Sequence, residues 1–360
     1  MKKYQLLFCS LLLCLIGLIM VYSSSHIWAL DKFNDAFYYI KRQGLFALLG
    51  LIGLFILTKI DYHLYYKYAK VILFFSFILL ILVLIPGLGQ VRGGSRSWFS
   101  LGAFSLQPSE IFKLAIIIYG SRFLADNYPK LKKVRKVFLL LLLTFFGFGL
   151  IMLQPDFGTG IVMLSSVLVM VIASPFPFKY FILLGILGII GLALLILSAP
   201  YRLQRILAFL DPFQDPLGSG FQMIQSLYAI GPGGLVGIGF DQSIQKHFYL
   251  PEPQTDFIFA ILCEENGFIG GSLVVLLYCF LIFKGLEISQ KANDLFGSYL
   301  ALGITAMLGI QIIINLCVVV GLFPVTGVTL PFMSYGGTSL TIVLSCIGIL
   351  QNIASQSDLL

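Results

Sequence analysis

Charge is scarce in this sequence. Of its 360 residues only 11% are Asp, Glu, Lys or Arg, against 59% hydrophobic ones, and the mean hydropathy is +0.98. That excludes an ordinary soluble domain, in which about 25% of residues are charged. Histidine is scarcer still. His26, His63 and His247 lie far apart without metal-ligand spacing, so they are assigned no chemistry and no metal-binding residue is expected. The six cysteines, Cys9, Cys14, Cys263, Cys279, Cys317 and Cys346, all fall in apolar runs and form no C-x-x-C pair. Neither a disulfide framework nor a zinc site is indicated. No repeat of fixed period or convincing pair of inverted halves is visible, which disfavours the repeat-built transporters. A net charge of +7 would suggest nucleic acid in a soluble chain. Here the excess reads as cytoplasmic-loop lysine and arginine, and no nucleic-acid partner is expected.

What the sequence has instead is long uncharged runs, each sufficient to cross a hydrocarbon core of about 30 Å with roughly 20 residues. A β-barrel would show alternating ten-residue segments. The expected fold is an all-α polytopic membrane protein, residues 1–360 forming one transmembrane domain. About ten helices are expected, near 5–23, 41–58, 69–86, 108–124, 136–153, 157–174, 179–198, 257–283, 296–321 and 335–354. The fourth gives the weakest hydropathy signal, since Glu110 and Lys113 lie within it. The opening MKK and apolar run resemble a signal peptide. The uncharged stretch continues from Tyr4 to Leu30 without a clear A-x-A site, so it reads as the first membrane helix. With the N-terminus inside, 14 of the lysines and arginines fall on inside segments and 8 outside, and KLKKVRK (130–136) sits inside. Both termini are therefore expected in the cytoplasm. One connection is long: residues 199–256, on the outside. Within it FQMIQSLYAI (221–230) reads as an interfacial helix and GPGGLVGIG as a glycine-rich turn.

The end of that connection raises the chemical question. LPEPQTDFIFAILCEENG (250–267) carries Asp256 against an apolar run and Glu264 and Glu265 inside it. Asp256 is expected in the first turn of a helix with Thr255 as its N-cap. It is either a dipole-complementing acid, worth ~0.3–1 kcal/mol, or a general base at the outer face. Glu264 and Glu265 lie about 12 Å deeper along the axis, where carboxylates are costly and face a polar interior. They read as a structural ion pair or as functional groups. In SLQPSEIFKLA (105–115), Glu110 and Lys113 share one helix face. They either pair with each other or line the same cavity, Lys113 holding phosphate oxygens or positioning a carboxylate. VRGGSRSWFSLG (91–102) reads as an outside loop with Arg92, Arg96 and Trp98, and SAPYRLQRILAF (198–209) adds Arg202 and Arg205. Singly such arginines bind lipid headgroups; jointly they suit an anionic lipid-linked substrate. PVTGVTLPFMSYGGTSL (324–340) has no charge, and Ser334, Tyr335, Gly336 and Gly337 sit in a turn or a re-entrant loop.

Five stretches carry a resemblance: GSRSWFSLGAFSLQPSEIFKLA, QPDFGTG, SAPYRLQRILAFLDPFQDPLGSGFQMIQSLYAIGPGGLVGIG, YLPEPQTDFIFAILCEENGFIGG and PVTGVTLPFMSYGGTSL. In this order the chain resembles the SEDS (shape, elongation, division and sporulation) family from about residue 10 to 355, most closely the division and sporulation branch of Gram-positive bacteria. The resemblance implies a ten-helix peptidoglycan glycosyltransferase of the bacterial cytoplasmic membrane. Such proteins polymerise lipid II at the outer face, beside a class B penicillin-binding protein that crosslinks the glycan and alongside other divisome or sporulation proteins. It implies a catalytic role for Asp256 in the T-D-F motif, and it matches Glu110 and Lys113 in QPSEIFK. Arg96, Arg202, Arg205, Gln222 and Ser334 complete the expected substrate-binding set, with Thr255, Glu264 and Glu265 supporting. A divalent cation, Mg or Mn, is the expected helper at the pyrophosphate. One departure is Asn266, where relatives commonly carry leucine. Two other functional classes stand beside this one: a lipid II flippase, and a scaffold that recruits the transpeptidase.

Overall fold

The computed structural model describes residues 4–101, 104–132, 134–197 and 200–357. Lys2, Lys3 and Lys133 of the basic count, Ala199 at the head of the long connection, and both chain ends lie outside the described residues. Ten helices follow the expected runs: α1 Gln5–Phe33, α2 Tyr38–Leu57, α3 His63–Leu82, α4 Pro108–Asn127, α5 Val134–Met152, α6 Phe157–Ile172, α7 Lys179–Leu197, α10 Ile258–Lys291, α11 Leu295–Val319 and α12 Gly337–Gln356. Two more, α8 Pro200–Leu210 and α9 Phe221–Ile230, lie in the long connection. Among the described residues α1, α2, α3, α10, α11 and α12 are long and apolar enough to cross a membrane. α4, with its buried Glu110 and Lys113, is not among them.

The ends of some helices depart from the expected ranges. α1 runs to Phe33 rather than ending near residue 23. The hydroxyls of Ser24 and Ser25 donate to the carbonyls of Met20 and Val21, at 2.7 and 2.6 Å, so two of the three serines are absorbed by the helix itself, while Ser23 bonds Glu265. The true stop is Asn34, which adopts φ 53° and donates its N–H to Leu30 O, a left-handed cap.

Residues 91–102 are not a plain loop. β1 Gly89–Arg92, β2 Ser95–Leu101 and β3 Phe104–Leu106 form an antiparallel sheet in that order. Arg92 pairs with Ser95 across Gly93 and Gly94, whose φ of 55° and 81° make the two-residue turn that matches strand twist. The Gly-Gly pair between two β-rich runs was the available signal.

α10 is broken at Gly267, with φ 63° and ψ −164°. The glycine-rich stretch after α9 enters this break. Phe268 and Ile269 donate N–H groups to the carbonyls of Gly234 and Leu235, and Ile238 and Gly239 donate to those of Glu264 and Glu265, all at 2.9–3.1 Å. Donors and acceptors that an interrupted helix would leave open are thereby paired. Asn266, the family departure, stands beside the break and returns its side chain to Leu262 O.

Gly267→Ala is expected to cost ~2 kcal/mol or more, because the backbone angles are strained for any L side chain and the new Cβ would lie 2.3 Å from Gly237 N. Gly309→Ala, whose Cβ meets nothing closer than 3.5 Å, should be close to neutral. Thermal unfolding of the purified variants in detergent measures both.

Candidate functional site

Asp256 sits on a short non-helical stretch ahead of α10. The helix begins at Ile258 behind Phe257, without a side-chain cap, so Asp256 is outside the first turn. Thr255 is not the N-cap either: its hydroxyl donates backward to Glu252 O at 2.8 Å. What fixes this stretch is a set of three donors on consecutive carbonyls. Tyr335 N–H bonds Gln254 O at 2.8 Å, Ser334 Oγ bonds Thr255 O at 2.6 Å, and Asn315 Nδ2 bonds Asp256 O at 2.7 Å.

The donors come from α11 and from residues 324–336, which have no helix or strand yet bury Val328, Leu330, Phe332, Met333 and Ser334. Buried irregular backbone must find partners, and side chains supply them. Asn315 Nδ2 also bonds Val328 O, Gln311 Nε2 bonds Thr329 O, and Tyr278 bonds Pro331 O, at 2.7, 3.0 and 2.5 Å. Ser334 Oγ accepts from Leu330 N–H. Gln43 donates to Ser334 O and accepts from Gly336 N–H. The segment is thus neither a free turn nor a loop to solvent, and it brings Gly327 beside the Asp256 carboxyl.

Glu110 and Lys113 pair on α4 at 2.7 Å, both buried. Lys113 Nζ also donates to Gln311 Oε1 at 3.1 Å. Gln311 and Asn315, one turn apart on α11, therefore connect this pair and Asp256 to the same irregular segment. Asp156 lies close enough to Glu110 and Lys113 to feel both charges. It caps α6 by accepting Thr159 N–H at 3.2 Å and receives Gln107 Nε2 at 3.0 Å. Two residues on, a Cβ at Gly158 would strike Val328 and Thr326, so QPDFGTG brings α6 against the segment's far side.

Arg205 joins the group: its Nη1 donates to Val325 O at 3.1 Å, two residues from Gly327. Beside it a cavity of about 250 Å³ is lined by Gln204, Arg205, Ser219, Gln222 and Val325 among others. The structure therefore brings Ser334 and Arg205 close to Asp256 and places Gln222 beside Arg205 in the cavity. Arg96 is elsewhere, donating to Leu84 O at the end of α3. Arg202 is on α8 but is not part of the cavity lining.

Burial pushes the Asp256 carboxyl above the usual aspartate range. Its contact with Thr255 pulls the other way, Glu252 adds to the rise, and the Arg205 charge opposes it. Burial also raises Asp156.

Glu264 and Glu265 belong to a separate arrangement. Glu264 accepts from Ser243 Oγ, Ile244 N–H and Gln245 N–H, at 2.5, 2.9 and 3.4 Å. Glu265 accepts Ser23 Oγ at 2.6 Å and pairs with buried Lys246 at 3.1 Å. Both glutamates tie residues 238–246 to α10 and α1. Among the described residues no group of three or more His, Cys, Asp or Glu is placed to hold a metal ion.

Sequence reasoning missed Asn315, Gln311, Gln43 and Asp156. The available signal was an amide or acid inside or beside an apolar run. Glu110→Ala is expected to destabilise the fold by ~3–5 kcal/mol, since it strands the Lys113 charge. Glu110→Leu with Lys113→Met should recover most of that. Melting temperatures of the three proteins test it.

The comparisons with known proteins agree with one another. A family model for the cell cycle proteins FtsW, RodA and SpoVE matches residues 4–359. Stage V sporulation protein E of Bacillus subtilis strain 168 is 53% identical over 349 residues, covering 97% of this chain and 95% of that protein. A probable peptidoglycan glycosyltransferase FtsW of Geobacter sp. strain M18 is 40% identical over 348 residues, covering 96% and 95%. Among solved structures, a chain described under structural coordination of polymerization and crosslinking by a peptidoglycan synthase complex superposes with TM-score 0.80 at 32% identity, covering 99% of this chain and 98% of that one. Thermus thermophilus rod shape determining protein RodA superposes with TM-score 0.74 at 27% identity, covering 99% and 97%. With a match across nearly its full length, the chain belongs to the FtsW/RodA/SpoVE family, the SEDS family its motifs resemble.

Proposed function

We propose that the chain is a peptidoglycan glycosyltransferase that polymerises lipid II at the outer face of the bacterial cytoplasmic membrane, in division or sporulation. The observation that carries the residue assignment is the Asp256 carboxyl on its clamped backbone, beside Gly327 and within reach of the Arg205 charge. The acceptor's GlcNAc 4-hydroxyl attacks the anomeric carbon of the lipid-pyrophosphoryl donor. The new O4–C1 bond forms as the C1–pyrophosphate oxygen bond breaks, and the pyrophosphate keeps the electron pair. The hydroxyl proton passes to Asp256, a transfer of the kind that contributes ~10²–10⁴-fold. One displacement inverts an α donor to a β-1,4 linkage, so no second carboxylate nucleophile is required.

Arg205 is placed to stabilise the leaving pyrophosphate, and Gln222 shares its cavity. Lys113 acts differently from a direct phosphate ligand. Its ammonium is committed to Glu110 and Gln311, so it holds the segment that faces Asp256. Arg96, Arg202 and Ser334 stay in the proposal as outer contacts and backbone support. Magnesium or manganese, where it serves, would ride on pyrophosphate oxygens, because the described residues furnish no carboxylate cage; no step here runs through it. A ten-span topology with both termini cytoplasmic and residues 199–256 outside puts the cavity at the outer surface. The partner is a class B penicillin-binding protein, in keeping with the synthase complex to which the fold is similar. Flipping of lipid II is the less favoured reading, since relatives carry the glycosyltransferase name.

Purified Asp256→Asn is expected to lose lipid II polymerisation by ~10²-fold or more while still binding its transpeptidase; near-normal glycan chains from it would exclude Asp256 as the base. A base works deprotonated, and burial raises this one. The wild-type rate should therefore fall on acidification with a midpoint above the ordinary aspartate value of about 3.9. A flat profile through that region counts against the assignment.

A further inference from the structure

We infer that Asn315 is a positioning residue for the transfer reaction, setting the place of the Asp256 carboxyl relative to the segment that faces it. This rests on Asp256 being the base.

Asn315 lies near the C-terminal end of α11, fully buried, between Ile314 and Leu316. An amide there is costly unless its donors are used. Both are, since Nδ2 bonds Asp256 O and Val328 O, each at 2.7 Å, while Oδ1 has no hydrogen-bond partner among the described residues. Two carbonyl acceptors also fix which end of the amide faces them, because the reversed amide would set three oxygens together.

The two acceptors belong to the two strands of chain that meet at the site. Asp256 carries the carboxyl, and Val328 follows Gly327, the backbone that carboxyl faces, with a Gly327 Cβ falling 3.9 Å from Oδ2. One nitrogen therefore anchors both sides of that contact. The other two clamps act upstream, on Gln254 and Thr255. Among the described residues, Asn315 supplies the side-chain hydrogen bond to the carbonyl of Asp256 itself. Gln311 makes an equivalent bond one turn away, to Thr329, but its other end meets Lys113. Displacing a reacting group by about 1 Å can cost ~10²-fold in rate, so loss of this anchor should act on turnover more than on substrate binding.

The test uses the full chain with its cognate transpeptidase in liposomes, assayed for lipid II polymerisation across substrate concentrations. Asn315→Leu should lower kcat by ~10–10²-fold with KM for lipid II changed by less than about threefold. Asn315→Gln, which keeps the donors on a longer arm, should recover part of kcat at the same KM. It carries the test where Asn315→Leu does not accumulate. Thr305→Val, on the same helix but bonded among the described residues to its own Ala301 O, should keep wild-type rates. Asp256→Glu combined with Asn315→Leu should be no slower than about the slower single variant, because residues acting as one unit are non-additive. Wild-type kcat in either Asn315 variant, a loss confined to KM, or multiplicative losses in the double variant would each overturn the inference. An active Asp256→Asn protein would instead overturn the reading of Asp256 on which it stands.

Discussion

Backbone that is surrounded by apolar helices cannot borrow hydrogen bonds from solvent, and this constraint governs the site. Residues 250–257 and 324–336 are irregular, yet much of their length is buried. A helix in their place would satisfy itself. These segments are satisfied by single side chains reaching out of α2, α10 and α11: Gln43, Tyr278, Gln311 and Asn315. Each is a polar group that the membrane environment penalises unless it is paired. The irregular backbone and the buried amides therefore depend on each other. What results is a short stretch of chain whose carbonyls are held at three successive residues, a rigid mount for a carboxyl that a helix or a free loop would not provide.

The same physics explains why the three acids of residues 256–265 are not one cluster. Glu264 and Glu265 lie where α10 is broken, and their carbonyls and carboxylates both engage the stretch 238–246. A buried ion pair such as Glu265–Lys246 is weak evidence for stability, because desolvation offsets the attraction. Its effect is specificity: the buried Lys246 ammonium, which also bonds Asp241, ties residues 238–246 to α10. Asp256 has no lysine of its own. The opposing charge at its carboxyl is that of Arg205.

Helix existence was legible because apolar runs of sufficient length have few alternatives. Helix ends were not, because a serine can hydrogen-bond its own preceding turn and a broken helix can be repaired by a distant glycine stretch. Neither partner is visible locally. The hairpin at Gly93–Gly94 was legible in the glycine pair, but the flanking strands are short, so the alternation that marks a strand is weak there. For the site, the family motifs pointed to Asp256, Glu110 and Lys113, and Asn315 and Gln311 were passed over as isolated amides in an apolar helix. Their importance depends on which carbonyls they meet, 59 and 18 residues away in sequence. That is tertiary information which no periodicity encodes.

Burial and ionisation pull Asp256 in opposite directions, and the balance bears on catalysis. A helix N-terminus would favour the charged carboxylate, but Asp256 stands before that terminus and burial is the larger influence. A carboxylate held ionised by strong partners is a poor base, since Brønsted behaviour rewards a pKa nearer the working pH. Raising it by burial improves its proton affinity. The nearby guanidinium and the hydrogen bond from Thr255 limit the rise, while the backbone clamp acts on the carbonyl and not on the carboxylate oxygens. Anchoring through the carbonyl rather than the carboxyl separates position from basicity, so one can be held firm while the other stays available for the proton.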